Sequence, residues 1–187
     1  MKLNMGCGHN KAEGYLNVDI APACSPDVVW DLEEFPWPWN DSSIDEVVFN
    51  HSLEHLGENS RIFLGMMKEL YRICKPNAQI RIHVPHPRHD NFINDPTHVR
   101  PITPSLLALF DRELNDLWKR EQRPNSPFAH YLNVDFHIIE VHTVLVEPYA
   151  AQHLEHLLTD ADIAAMIREL NNIASEYRIV MVARKGA

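Results

Sequence analysis

Residues 2–20 read KLNMGCGHNKAEGYLNVDI, and glycines interrupt this segment between two apolar runs. Lys2–Met5 is short and partly apolar, which is typical of a strand, and it runs into Gly6-Cys7-Gly8. Two glycines there allow a sharp turn and a close approach of a ligand to the backbone. Residues 15–20 have the apolar and β-branched composition of a second strand, with Asp19 near its carboxyl end. We therefore predict a strand, a glycine turn and another strand.

Strands and helices alternate along the rest of the chain. Further strands are predicted at residues 27–30, 44–50, 78–84, 136–146 and 177–184, and helices at 59–74, from 104 to about 121, and from about 160 onward. This order favours an α/β fold with an open, mostly parallel sheet of about seven strands, an antiparallel edge strand and helices on both faces.

The composition indicates one globular domain in a reducing compartment. At 187 residues with 45% hydrophobic content, the chain can bury one sizeable core. The net charge of −9 comes with no basic cluster, so we expect no nucleic-acid partner. No apolar run is long enough to cross a membrane, and no signal peptide is recognisable, so we expect no membrane partner. Three cysteines without a CxxC pair favour a cytoplasmic location.

Glycines and carboxylates mark the ends of the first predicted strands. Gly6 and Gly8 place backbone N–H groups at the sheet edge where open α/β folds bind ligands. Asp19 ends the second strand, where an acidic side chain can accept both hydroxyls of a ribose. Asp31 ends the third strand. Together these positions favour a nucleotide-type ligand, although a lone GxG turn is weak evidence.

Five segments carry a family resemblance. They are LNMGCG (3–8), YLNVDI (15–20), VVWDLEEFPWP (28–38), SIDEVVFNHSLEHL (43–56) and ELYRICKPNAQIRIHVP (69–85). In this order they resemble the class I S-adenosylmethionine-dependent methyltransferases, which implies a Rossmann-like fold. A poorly characterised branch of that family has the same GCG and NVD start and the DPTH segment found at residues 95–98.

The chain departs from the family pattern at two places. Asn77 and Ala78 replace the more usual glycine pair. Only ten residues separate Gly8 from Asp19, which leaves no room for the usual first helix. We therefore predict a shortened loop between the first two strands.

The resemblance implies that S-adenosylmethionine is the cofactor. Gly6, Cys7 and Gly8 would pass under its methionine and ribose portions, Asp19 would hold the ribose, and Asp31 with Leu32 would face the adenine. The cofactor-binding residues implied in this way are Asn4, Gly6, Cys7, Gly8, Asp19, Ile20, Asp31, Leu32, Asn50 and His51.

The expected activity is methyl transfer to O or N of a small-molecule or sugar-like acceptor. Within a single domain, residues 1–187, we expect a cofactor-binding half (1–84), a loop and helix insertion on the acceptor side (85–135), and C-terminal strands and a helix (136–187). Alternatives are a non-catalytic cofactor-binding accessory protein and a metal-dependent hydrolase that uses the histidines. A dinucleotide oxidoreductase fits less well, because Gly8 is not followed by the GxGxxG spacing.

Histidines cluster between residues 83 and 98. His83 belongs to the predicted strand, and the others lie in a proline-rich loop at residues 85–104 that is long enough to be functional. A histidine that titrates near neutrality can accept a proton from an acceptor hydroxyl or ammonium group. The candidate catalytic bases are His86, His89 and His98, with His86 preferred because it follows a strand. A polar loop without catalytic function and a divalent metal held by His and Asp side chains are the alternatives, and we assign no residue to a metal. Arg88 and Arg100 could hold an acidic substrate group.

Overall fold

A seven-stranded sheet runs through the structure, a computed structural model that describes residues 1–186. Its strands are β1 (Lys2–Met5), β2 (Leu16–Asp19), β3 (Val28–Val29), β4 (Ile44–Asn50), β5 (Cys74–Pro85), β6 (Phe136–Leu145) and β7 (Ala174–Ala183). Their order in space is β3-β2-β1-β4-β5-β7-β6. Neighbours from β3 to β5 are parallel, whereas β7 is antiparallel to both β5 and β6. The predicted Rossmann-like, mostly parallel sheet is confirmed, and its antiparallel strand lies one position inside the edge.

Seven helices accompany the sheet in the described part of the chain. They are α1 (Ser60–Ile73), α2 (Asp90–Ile93), α3 (Pro104–Ala108), α4 (Arg112–Arg120), α5 (Phe128–Leu132), α6 (Tyr149–Leu154) and α7 (Asp160–Glu169). The single helix predicted from residue 104 is divided in two, because the Asp111 side chain accepts a hydrogen bond from the Leu114 amide and caps α4 as a new helix. No helix within residues 1–186 is long and apolar enough to span a membrane.

The core lies on one face of the sheet, under α1. Leu3, Val47 and Ile80 are fully buried there, each on a different strand, and α1 buries Phe63 and Leu70 against them. Burial of one such side chain stabilises the fold by roughly 1.5–3 kcal/mol.

The opposite face is open at its centre. Arg81, in the middle of β5, keeps 44% of its side chain exposed although strands flank it on both sides. It binds Glu46 of β4, which also binds Lys2 of β1 and the Tyr15 hydroxyl. The loop from β1 to β2 contains no helix. Helix coverage of the two faces is therefore unequal, and charged side chains take the place of a second apolar layer here.

Candidate functional site

The carboxyl ends of β1, β2, β3 and β4 meet at a cavity of about 430 Å³. It is lined by most of the residues that the sequence pointed to: Gly6, Gly8, Asp19, Ile20, Asp31, Leu32 and His51. Trp30, Glu33, Ser52, His55 and Leu56 also line it, and the sequence analysis did not single them out. A signal for the last three existed, since they belong to the HSLEHL segment that follows β4.

A larger hollow of about 640 Å³ lies beside β6, α6 and α7. Its lining is mostly apolar, with residues such as Leu145, Ile163 and Ile167, and it contains none of the predicted cofactor residues. Ligands of open α/β sheets bind at the carboxyl ends of the parallel strands, so the smaller cavity is the candidate site.

Gly6 begins the turn under this cavity. Its φ is +67°, and a β-carbon at this position would lie 2.5 Å from the β-carbon of Ser52. The amides of Gly6 and Cys7 both donate to the carbonyl oxygen of Val18, at 2.9 and 3.0 Å. Only glycine fits here, and the turn is tied directly to β2.

Asp19 is held in place by two backbone amides. Its Oδ2 accepts from Gly8 at 2.7 Å, and its Oδ1 accepts from Ala21 at 2.9 Å. Each carboxylate oxygen can still accept another hydrogen bond. Asp19 can therefore receive two hydroxyls from one diol without moving.

The wall formed by residues 30–33 is also fixed by hydrogen bonds. Asp31 Oδ1 accepts from the Glu33 amide at 2.8 Å, and Glu33 Oε1 accepts from the Gly57 amide at 2.7 Å. The indole nitrogen of Trp30 is buried and has no hydrogen-bond partner among the described residues. Trp30 therefore borders the cavity with its side chain, while its indole nitrogen is covered by the protein.

Three of the predicted cofactor residues are not part of the cavity lining that the described residues form: Asn4, Cys7 and Asn50. Asn4 is 3% exposed and bridges Asn17 Oδ1 and the Asn10 carbonyl oxygen. Burial raises the pKa of the Cys7 thiol, as expected for a packing residue. Asn4 and Cys7 thus support the turn from behind.

His51 lies between two carboxylates at the edge of the cavity. Its Nε2 is 2.8 Å from Glu176, and its Nδ1 is 3.6 Å from Glu54. The Glu54 and Glu176 carboxylates raise the pKa of His51, while partial burial opposes them. Its φ of +51° turns the chain sharply after β4.

Two of the three candidate bases lie away from the cavity. Both ring nitrogens of His86 are occupied: Nε2 is 3.0 Å from the Tyr177 hydroxyl, and Nδ1 accepts from the Arg88 amide. Burial lowers the pKa of His86 to about 4. His89 caps α2 through Nδ1, which accepts from the Asn91 amide. Both side chains serve local structure in this arrangement.

His98 is the candidate base that comes close to the cavity. Its ring centroid is 4.5 Å from that of His55, which lines the cavity. Arg100 follows it in the chain, but its guanidinium donates to the Gly57 carbonyl oxygen and stacks on Phe63 at 4.5 Å. Arg100 therefore supports the fold, whereas Arg88 is exposed.

No protein-family model matches the sequence, and no curated protein matches it. Solved structures do. The chain is similar to a SAM-dependent methyltransferase from Archaeoglobus fulgidus, with 20% identity and a TM-score of 0.63 over 97% of this chain and 85% of that one. It is similar to a SAM-dependent methyltransferase from Methanosarcina mazei, with 13% identity and a TM-score of 0.55 over 99% and 92%. It is also similar to the [4+2]-cyclase SpnF, with 15% identity and a TM-score of 0.53 over 100% and 75%. The chain thus has the Rossmann-like fold of SAM-dependent methyltransferases.

Proposed function

We propose that this chain is an S-adenosylmethionine-dependent methyltransferase that acts on O or N of a small molecule. The observation that carries the proposal is the fixed Asp19 carboxylate, which faces the same cavity as the glycine turn. The cavity volume lies within the range of about 300–1,000 Å³ common for small-molecule sites.

The residues present fit this cofactor. Asp19 would accept the two ribose hydroxyls, and Asp31, Leu32 and Trp30 would border the adenine. His51 and Ser52, after β4, would border the methionine portion. Once bound, the cofactor supplies an activated methyl group on a sulfonium with a good leaving group. The protein then has to position the acceptor and exclude water.

We assign the acceptor side to residues 85–135. The loop from β5 is joined to the cavity region through the amides of Val99 and Arg100, which donate to the Glu54 carbonyl oxygen. Because His86 is buried and fully hydrogen-bonded, His98 is the better placed of the three candidate bases.

A non-catalytic cofactor-binding protein is the second candidate. It is favoured by the engagement of His86 and His89 in local hydrogen bonds, which leaves neither side chain free to act as a base. Transfer of a radiolabelled methyl group to a panel of alcohols, amines and sugars separates the two candidates. Incorporation supports the enzyme, whereas tight cofactor binding with no incorporation on the panel supports the accessory protein.

Calorimetric titration with S-adenosylmethionine tests the cofactor assignment, with a nicotinamide dinucleotide as the control ligand. We expect Asp19→Asn to weaken binding by about 10- to 100-fold, because each hydrogen bond to a charged group contributes about 1.5–3 kcal/mol. The matched control is Asp41→Asn, whose side chain is 79% exposed on the surface. Unchanged affinity in the Asp19 variant would show that Asp19 does not hold the ribose.

A further inference from the structure

Three side chains meet beside the cofactor cavity: Glu54, His55 and His98. One ligand-type atom of each lies within 4.8 Å of the others. Glu54 and His55 belong to the turn after β4, and His98 ends the DPTH segment of the loop that follows β5. His55 also lines the cavity, so this cluster borders the proposed cofactor site.

Glu54 is a buried carboxylate that lacks hydrogen bonds. It is 1% exposed, and neither of its side-chain oxygens has a hydrogen-bond partner among the described residues. Its ion-pair neighbour is His51, whose Nδ1 at 3.6 Å is too far for a hydrogen bond. An unpartnered buried carboxylate is costly, and a bound cation removes that cost.

The hydrogen bonds of His55 fix which nitrogen carries its proton. The Thr97 hydroxyl donates its one hydrogen to Asp95 Oδ1, at 2.6 Å, so it cannot donate a second hydrogen bond. Thr97 Oγ1 must then accept from Nδ1 of His55, which lies 2.9 Å away. The Nε2 lone pair of His55 is therefore free.

The same holds for His98. Its Nδ1 lies 3.0 Å from the carbonyl oxygen of Phe92, an atom that can only accept a hydrogen bond. Nδ1 must carry the proton, which leaves the Nε2 lone pair free on a side chain that is 8% exposed; the nearest carboxylate oxygen of Asp95, at 3.8 Å, is too far from Nε2 for a hydrogen bond. A ligand histidine in a metalloprotein commonly donates its other N–H to a backbone carbonyl or another oxygen in this way.

We propose that Glu54, His55 and His98 bind a divalent first-row transition-metal ion. Two imidazole nitrogens and one carboxylate form a ligand set that suits Zn²⁺ and related ions, and three protein ligands leave a coordination position for a small molecule. If the proposed function holds, an oxygen of the methyl acceptor would take that position, and His98 would act as a metal ligand in place of its role as a base. The metal site itself does not depend on the methyltransferase assignment.

Titration of chelator-treated protein with Zn²⁺, followed by calorimetry and by metal analysis after gel filtration, tests the site. We expect one Zn²⁺ per chain in the wild type and at least about 100-fold weaker binding in Glu54→Gln and His98→Ala, because each loses a ligand. His142→Ala is the matched control, since this exposed histidine of β6 lies outside the cluster. Circular dichroism checks that each variant is folded.

Two results would overturn the proposal: no Zn²⁺ or Mn²⁺ binding by the wild type in the micromolar range, or equal Zn²⁺ binding by the wild type and Glu54→Gln. The second criterion uses a near-isosteric variant, so it remains decisive even if His98→Ala does not fold. Binding of S-adenosylmethionine to the same samples is measured separately. Zn²⁺ binding without cofactor binding would support the metal site and reject the cofactor assignment.

Discussion

Two clusters in this molecule are built from carboxylate and histidine side chains, but the carboxylates of the two clusters have different ion-pair partners. The first cluster consists of Glu54, His55 and His98, and the second of Asp111, Glu113 and His137. In each cluster, three possible ligand atoms lie within 4.8 Å of one another. In the second cluster, Arg184 donates to Asp111 at 2.8 Å and contacts Glu113 at 2.9 Å. The guanidinium occupies the place that a metal ion would take. Proximity alone does not define a metal site, because the partners of the carboxylates decide it.

The second cluster is a structural ion-pair network that also joins β7 to the rest of the fold. Arg184 binds Asp135 at 2.8 Å in addition to its two other carboxylates, and His137 Nδ1 lies 2.8 Å from Asp111. Asp111 is 2% exposed and caps α4. Its charge is therefore compensated by close ion pairs within the protein, whereas Glu54 has only His51, at 3.6 Å.

The largest expected effect comes from removing the cation of the second cluster. Arg184→Met should lower the free energy of unfolding by about 3–5 kcal/mol, because it removes the cation shared by three carboxylates and leaves the buried Asp111 with His137 as its remaining ion-pair partner. Urea denaturation measures this. The control, Arg123→Met, removes a surface pair in which Arg123 is 57% exposed, and it should cost about 1 kcal/mol or less. Equal losses in the two variants would contradict the distinction.

The buried histidine His86, which lies away from both clusters, makes the stability of the protein depend on pH. Burial lowers its pKa to about 4 from an ordinary value near 6.5, so the unfolded chain binds more protons between these pH values. The contribution of His86 to the free energy of unfolding is fully present above pH 6.5. It falls by up to about 3 kcal/mol as the pH drops toward 4.

His86→Gln removes this contribution, so its unfolding free energy should depend less on pH between 4 and 6.5 than that of the wild type. His142→Gln, at an exposed position, should behave like the wild type. The free energy of unfolding should rise with pH in this window, because His86 stays neutral in the folded protein and becomes protonated in the unfolded chain. A wild-type protein that becomes more stable as the pH falls through this window would contradict it.

The stability of Glu54→Gln, measured with and without Zn²⁺, tests whether Glu54 lacks a partner in the metal-free protein. In chelator-treated protein the variant should be about 1 kcal/mol more stable than the wild type, because an unpartnered buried charge becomes neutral. In Zn²⁺ at 100 times the dissociation constant of the wild type, the wild type should gain about 2.7 kcal/mol and the variant about 0.4 kcal/mol or less. Thermal unfolding of both proteins, without metal and with Zn²⁺, measures this reversal in the order of stability. A metal-free variant less stable than the wild type would indicate that His51 already neutralises Glu54.

The smallest effect is expected at the second cluster. His137→Gln should leave the number of Zn²⁺ ions per chain and their affinity unchanged, because Arg184 already occupies that group of carboxylates. Metal analysis after gel filtration measures this. Loss of Zn²⁺ in this variant would show that the second cluster is the metal site.

The sequence predicted the sheet and the position of the cavity because their signals are local. The glycine turn at residues 6–8 and the acidic residues Asp19 and Asp31 each follow a strand directly, and parallel strands bring their carboxyl ends to one edge. The HSLEHL segment contained Glu54 and His55, but nothing in it indicated that Glu54 would lack a partner.

Contacts between distant segments were beyond sequence reasoning. His98 reaches His55 because the Val99 and Arg100 amides bind the Glu54 carbonyl oxygen, a path of the loop that no local pattern specifies. His86 is buried through Tyr177, which lies 91 positions further along the chain. Residue type made His86 a reasonable candidate base, but its burial changes its chemistry.

The open face of the sheet affects how the protein unfolds locally. With its centre covered only by side chains such as Lys2, Glu46 and Arg81, the sheet relies on a single apolar layer for cohesion. Detachment of α1 would open the part of that layer which β1, β4 and β5 share, because Phe63 and Leu70 would leave it. Amide hydrogens of these three strands should therefore exchange with solvent as one cooperative unit, at the rate set by opening of that helix.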